Sequence, residues 1–152
     1  MARGVQIPPE NELKIEFPSI SVNEGSARSL VSAFVAQLNP TIEELADIKC
    51  AVSEAVTNCI VHAYRDACGP IFLTDRLYAG RLVRIEIKDR GCGIGDVRQA
   101  MTPLFTTDTT GERSGMGFAV MESFSDSLRV RSNPGKGTCV IMTKRLSPLP
   151  RV

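Results

Sequence analysis

Tryptophan is absent from this chain, and the other aromatics are two tyrosines and six phenylalanines, so no stacking platform for single-stranded nucleic acid is visible. Histidine occurs once, as His62. The five cysteines, Cys50, Cys59, Cys68, Cys92 and Cys139, are odd in number, scattered, and never spaced as C-x-x-C. A zinc site is left without its ligands. The thiols read as reduced, and Cys59 stands at a core position. An excess of one charge is missing too: the formal net charge is +1, which gives no field toward nucleic acid or an anionic membrane. No stretch approaches the roughly 20 apolar residues of a membrane span, and the segment from Met1 to Pro9 lacks the apolar centre of a signal peptide. The expectation is a cytoplasmic protein with no direct nucleic-acid or membrane partner. At 152 residues, without repeats or low-complexity tracts, it reads as one domain, with 1–11 and 146–152 loose.

What is present is periodicity. Leu13, Ile15 and Phe17 alternate with charged residues in a strand ended by Pro18. Ser21 and Glu24 have the spacing of a capping box before a helix marked by Ala27, Leu30, Val31, Phe34, Val35 and Leu38. Thr41 and Glu44 repeat that spacing before the most strongly patterned stretch, Thr41–Tyr64. There Leu45, Ile48, Val52, Ala55, Val56, Cys59, Ile60 and Ala63 form an apolar helix face. Gly69-Pro70 breaks it. Strands follow at Ile71–Leu77 and Leu82–Lys88, then a short helix over 96–101, a patternless loop over 102–113, a helix with Phe118, Val120, Met121 and Phe124, and strands around Leu128–Arg131 and Thr138–Lys144. Short turns between neighbouring strands imply antiparallel pairs. The order β-α-α-β-β-α-loop-α-β-β predicts an α/β two-layer sandwich, a mixed, mostly antiparallel sheet with helices on one face.

Four stretches carry chemistry. Glu54, Asn58 and His62 recur every four residues, so they stack along one edge of the central helix, off its apolar face. Asp89 has the parity of the core-facing residues Val83, Ile85 and Ile87, and a carboxylate on the buried side of a strand needs a partner. Gly91, Gly93 and Gly95 follow it; clustered glycines let a backbone pass close to a ligand. Their spacing is not that of a dinucleotide fingerprint or a calcium loop. Ser114-Gly115-Met116-Gly117 opens a helix, a place where backbone N–H groups meet phosphate. Gly135-Lys136-Gly137 reads as a hairpin turn, and Thr138 shares the parity of Val140 and Met142.

In this order these stretches resemble the ATP-binding domain shared by gyrase, heat-shock protein 90, histidine kinases and MutL, the Bergerat-type fold. Val52–Ile60 (VSEAVTNCI), Pro103–Thr107 (PLFTT) and Glu112–Phe118 (ERSGMGF) are similar to the anti-sigma-F serine kinases of spore-forming bacteria, a likeness running from Leu13 to Lys144. Arg90 and Cys92 depart from it, standing where the family often has an acid or amide and a small aliphatic residue.

The resemblance implies roles. Asp89 would bind the adenine amino group, aided by Thr138 through water, which would account for a buried acid without an internal partner. Gly91 and Gly93 would let the chain approach the base. Asn58 would hold Mg²⁺ on the phosphates of ATP or ADP, with Thr107, Ser114, Gly115, Met116 and Gly117 completing the nucleotide site. Glu54 would be the general base for a serine hydroxyl, and Arg113 would steady the γ-phosphate. Arg28 would touch the sigma factor. The implied protein is a homodimeric serine/threonine kinase that sequesters a sporulation sigma factor and phosphorylates an anti-anti-sigma factor. Three alternatives remain open: a stress-response anti-sigma kinase, a binding module that uses ATP without transfer, and a detached histidine-kinase catalytic domain. The last needs a phosphorylatable histidine in a dimerisation helix, whereas His62 lies in the central helix.

Overall fold

The computed structural model describes residues 6–65, 67–101 and 117–151. Strand β1 (Asn11–Pro18) leads into helix α1 (Val22–Val35), a 3₁₀ turn (Ala36–Leu38) and helix α2 (Ile42–Asn58). Asn39 adopts a left-handed conformation (φ 50°) and ends the first helical run. Beyond α2 the helix widens into a π turn, Cys59–Ala63. Strands β2 (Pro70–Tyr78) and β3 (Leu82–Asp89) form a hairpin. Short helices α3 (Val97–Ala100) and α4 (Gly117–Ser123) come next, and the hairpin of β4 (Ser127–Asn133) and β5 (Gly137–Arg145) closes the order.

The five strands lie in the order β1-β2-β3-β5-β4, and all four pairings are antiparallel. A mixed sheet was the expectation; the connections explain the outcome. Two helices between β1 and β2 carry the chain out and back, so β2 starts where β1 ended, with Pro18 opposite Pro70. One sheet face packs on the helices. Ile48, Val52, Ala55 and Val56 of α2 and Val31 and Val35 of α1 cover Ile71, Leu73, Val83, Ile85, Ile87 and Met142, all buried. Each such aliphatic side chain contributes on the order of 1.5–3 kcal/mol.

The two expected capping boxes part company. Thr41 Oγ1 accepts from the Glu44 N–H, and Glu44 Oε1 accepts from the Thr41 N–H, both at 3.0 Å. Ser21 makes no side-chain cap bond. Glu24 instead turns across to α2, where it accepts a hydrogen bond from the Ser53 hydroxyl, and it pairs with Arg28 of its own helix. A hydroxyl and a guanidinium compete better for that carboxylate than an exposed backbone amide does.

The segment from 146 onward, expected to be loose, starts out docked. Leu146 is buried, and Ser147 donates its N–H to Glu44 Oε2 at 2.8 Å. Arg81, itself at φ 62°, clamps this corner by donating to the carbonyls of Leu38 (2.5 Å), Asn39 (3.4 Å) and Ser147 (2.8 Å). Asp75 lies on the core face of β2, opposite Leu13 and Ile85, fully buried. Neither of its carboxyl oxygens has a hydrogen-bond partner among the described residues. Among those residues no helix is long and apolar enough to cross a membrane.

Candidate functional site

The end of the central helix and the end of β3 meet over a cavity of about 290 Å³. Asn58, Cys59 and His62 line it from the central helix and its π turn, Asp89 and Thr138 from the strand ends, with buried Asp89 as its floor, and Gly93, Ile94 and Asp96 from the segment after β3. Ala55, Phe118 and Val140 supply apolar wall. Such a mix, apolar surface with a few convergent polar groups, is what a small-molecule site needs.

Asp89 confirms the parity argument: its side chain faces inward and is 4% exposed. Its lack of an internal partner is corrected. Oδ1 accepts from the backbone N–H of Gly91 at 2.9 Å and of Thr138 at 3.2 Å, and Oδ2 accepts from the Cys59 thiol at 3.5 Å. Burial pushes the Asp89 carboxyl above its ordinary range, and the three donors pull the other way. The Cys59 thiol is raised well above its usual value by burial, then by the neighbouring carboxylate. The result is an acceptor held in one orientation on a cavity floor, with a lone pair of Oδ2 left for an incoming donor.

The glycine loop is built on the π turn. The wide turn leaves the Ala63 carbonyl available, and the Cys92 N–H donates to it at 2.9 Å. A Cβ at residue 91 would sit 2.3 Å from that same carbonyl oxygen, so Gly91 is required by packing against the chain itself. Gly93 (φ 74°) passes equally close to the Asn133 carbonyl. The expected role of these glycines, close approach to a base, therefore has a prior structural reason beside it. Gly95 has open space where a Cβ would point.

Several site residues carried no sequence signal of their own. Ser132 accepts from the Ile94 N–H at 2.7 Å and meets the Thr138 hydroxyl at 2.8 Å, so it orients the threonine. Tyr64 accepts from the Arg90 N–H at 2.6 Å and donates to the Pro70 carbonyl at 2.7 Å, fastening the strand end that bears Asp89. Cys59 was assigned to the core and is buried there, yet its thiol also serves the site. For Cys59 the helical phase was legible; its partner thirty residues away was not.

Glu54 and Asn58 stand one turn apart on α2, as expected, with Asn58 on the cavity wall. Helix α4 begins against them: a Cβ on Gly117 would lie 3.1 Å from Asn58 Oδ1 and 3.3 Å from Glu54 Oε2. The structure thus brings together Glu54, Asn58, Asp89, Gly91, Gly93, Gly117 and Thr138. Arg28 is exposed on α1, away from the cavity lining. Thr107, Arg113, Ser114, Gly115 and Met116 lie outside the described residues.

Residues 18–144 match the family model of the histidine kinase-like ATPase domain, and the chain belongs to that family. Membership implies binding of ATP or ADP. The fold agrees with part of the structure of the RsbU and RsbW domains of Rv1364c from Mycobacterium tuberculosis, with a TM-score of 0.69 at 24% identity over 94% of this chain and 34% of that one. Among curated proteins, the chain is 56% identical over 134 residues to the anti-sigma F factor of Caldanaerobacter subterraneus subsp. tengcongensis. It is 55% identical over the same length to that of Thermoanaerobacter sp. (strain X514). Both matches span 88% of this chain and 93% of the relative.

Proposed function

We propose that this protein is an anti-sigma factor and a serine protein kinase. It binds Mg-ATP, sequesters a sporulation sigma factor as a homodimer, and phosphorylates a serine of an anti-anti-sigma factor. The observation that carries the reading is Asp89, a carboxylate fixed by three donors on the floor of an apolar-walled cavity with an open lone pair. Such a floor offers an acceptor to an incoming N–H donor, and the exocyclic amino group of a purine is a donor of that kind. More than half identity to anti-sigma F factors supports the choice of partners.

The chain's own residues divide the work. Asp89 binds the adenine amino group, with Thr138 beside it held by Ser132. Asn58 is a suitable protein ligand for a magnesium ion, which takes most of its coordination from phosphate oxygens and water. Held there, the ion would supply charge neutralisation for the phosphates. Gly117 keeps the start of α4 close to Asn58 and Glu54, and Arg113 steadies the γ-phosphate. Glu54 accepts the proton of the serine hydroxyl, a general-base contribution of roughly 10²–10⁴-fold.

Single-turnover transfer of labelled phosphate to the anti-anti-sigma partner tests this. Glu54→Gln keeps the shape and removes the basicity, so it retains ATP binding and slows transfer by about that factor. Transfer at the wild-type rate by Glu54→Gln refutes the assignment of the base. Absence of transfer by the wild type would favour a module that uses ATP without chemistry.

A further inference from the structure

The helices pack on the core face of the sheet. On the other face the strands present side chains that are half-buried or exposed, Ile141 apart. Charge is divided unevenly across that face. Toward the β1 edge it is balanced: Arg76 pairs with Glu12 at 2.6 Å and with Glu86 at 3.5 Å, and Lys14 pairs with Glu12. Over β3, β5 and β4 it is not. Arg84, Lys88, Arg129 and Arg131 have no ion pair among the described residues. Glu86, the acid beside them, is already engaged, one oxygen by Arg76 and the other by the Cys139 thiol at 3.5 Å. Two features of this half cost the isolated chain stability. Arg84 stands directly opposite Arg76, a like-charge cross-strand pair. Its Nε is buried with no hydrogen-bond partner among the described residues, an orphaned donor of a kind that native proteins rarely keep. Ile141, which Arg129 faces across the β4–β5 ladder, is 6% exposed yet outside the core cluster. It forms a separate apolar centre within the cationic field.

We infer that the sheet face over β3, β5 and β4 is a docking surface for an acidic protein segment, whose carboxylates pair with Arg84, Arg129 and Arg131 around Ile141. Guanidinium forks match carboxylates, and arginine around an apolar centre is the composition of a protein interface. The segment would give the Arg84 Nε an acceptor and relieve its opposition to Arg76. A second copy does not fit through the same patch, because a two-fold contact would set these cations against themselves. Nucleic acid is disfavoured by the net charge of +1, which supplies no long-range field toward phosphates. The nucleotide cavity opens on the helix side, where Val140 faces, so the inference stands apart from the kinase reading.

The test titrates a decaglutamate peptide into the full chain at low salt, followed by calorimetry and by amide NMR. Arg129→Gln/Arg131→Gln should weaken the peptide about tenfold, whereas Lys14→Gln/Lys49→Gln, an equal change in net charge elsewhere, should alter it less than about twofold. Amide shifts should concentrate on β3, β5 and β4. Arg84→Met should also weaken binding while leaving the thermal midpoint at or above that of the wild type, because it removes an orphaned donor and a like-charge pair. No binding of the peptide, equal losses in the two double variants, or a shift map centred elsewhere overturns the inference. A midpoint for Arg84→Met well below wild type overturns it too, by giving Arg84 to the fold. Tighter binding of an oligothymidylate of equal length overturns it in favour of nucleic acid.

Discussion

Asp75 should make this fold less stable as the pH rises through neutrality. It is completely buried on the core face of β2, its carboxyl oxygens have no partner among the described residues, and burial raises its pKa from 3.8 to about 7. The folded state therefore holds a proton that the unfolded chain releases. With a raised folded pKa, the contribution is fully present below about pH 4, falls as the pH rises, and is gone above about pH 7. The shift of about 3 units at 1.36 kcal/mol each amounts to roughly 4 kcal/mol across the whole window. Complete burial leaves no solvent screening to discount, and a typical domain has only about 5–15 kcal/mol in total. Between pH 5 and pH 8 the loss should be roughly 2–3 kcal/mol. Asp75→Asn keeps the shape and removes the titration. Urea unfolding of both proteins at pH 5 and pH 8 is the assay, and the difference of differences cancels the contribution of Asp89, which titrates in both. The variant should lose most of the wild-type drop in unfolding free energy. An identical drop in the two proteins would refute the reasoning.

Asp89→Asn should lose ATP and ADP binding in calorimetry while unfolding cooperatively, since an amide oxygen can still accept from Gly91 and Thr138. Gly117→Ala places a Cβ against the movable ends of Asn58 and Glu54; it should weaken nucleotide binding and leave the unfolding midpoint nearly unchanged, as paired titrations and melts would show. Gly137→Ala is the contrast, because its Cβ would meet the Asp89 carbonyl at 2.2 Å from a residue at φ 109°; chemical denaturation should register a loss of about 3 kcal/mol or more. Arg81→Ala removes three donors from the corner where Leu38, Asn39 and Ser147 meet, costing about 2 kcal/mol in urea unfolding and exposing the tail to limited proteolysis.

The sequence announced those features whose causes are local. Thr41 and Glu44 form their capping box because both partners lie within one turn. Glu24 has the same spacing from Ser21 and does something else, because Ser53 reaches it from twenty-nine residues away. The inward parity of Asp89 could be read from the alternation of β3. Its donors could not, since Cys59 and Thr138 arrive from other elements. Asp75 was legible in principle: it is in phase with Ile71, Leu73 and Leu77, a charged residue in an apolar row. The π turn left no mark in an apolar pattern that stays helical throughout, and with it went any forecast that Ala63 would hold the glycine loop. Leu146 gave no period to read, being a single residue after a strand, yet it completes the core.

The absence of tryptophan acquires a use here. Of the two tyrosines, Tyr64 has its phenol bonded to the amide of Arg90 and the carbonyl of Pro70, one residue past the carboxylate at the cavity floor. Its ring packs so tightly on Gly69 that no side chain fits there. Tyrosine emission depends on what the phenol is bonded to, and no indole is present to mask it. The protein therefore carries a native fluorophore at the junction between the central helix and the glycine loop. With Tyr78→Phe as background, the ultraviolet emission of a single residue reports, label-free and in real time, on whether that corner stays fastened as ligands come and go.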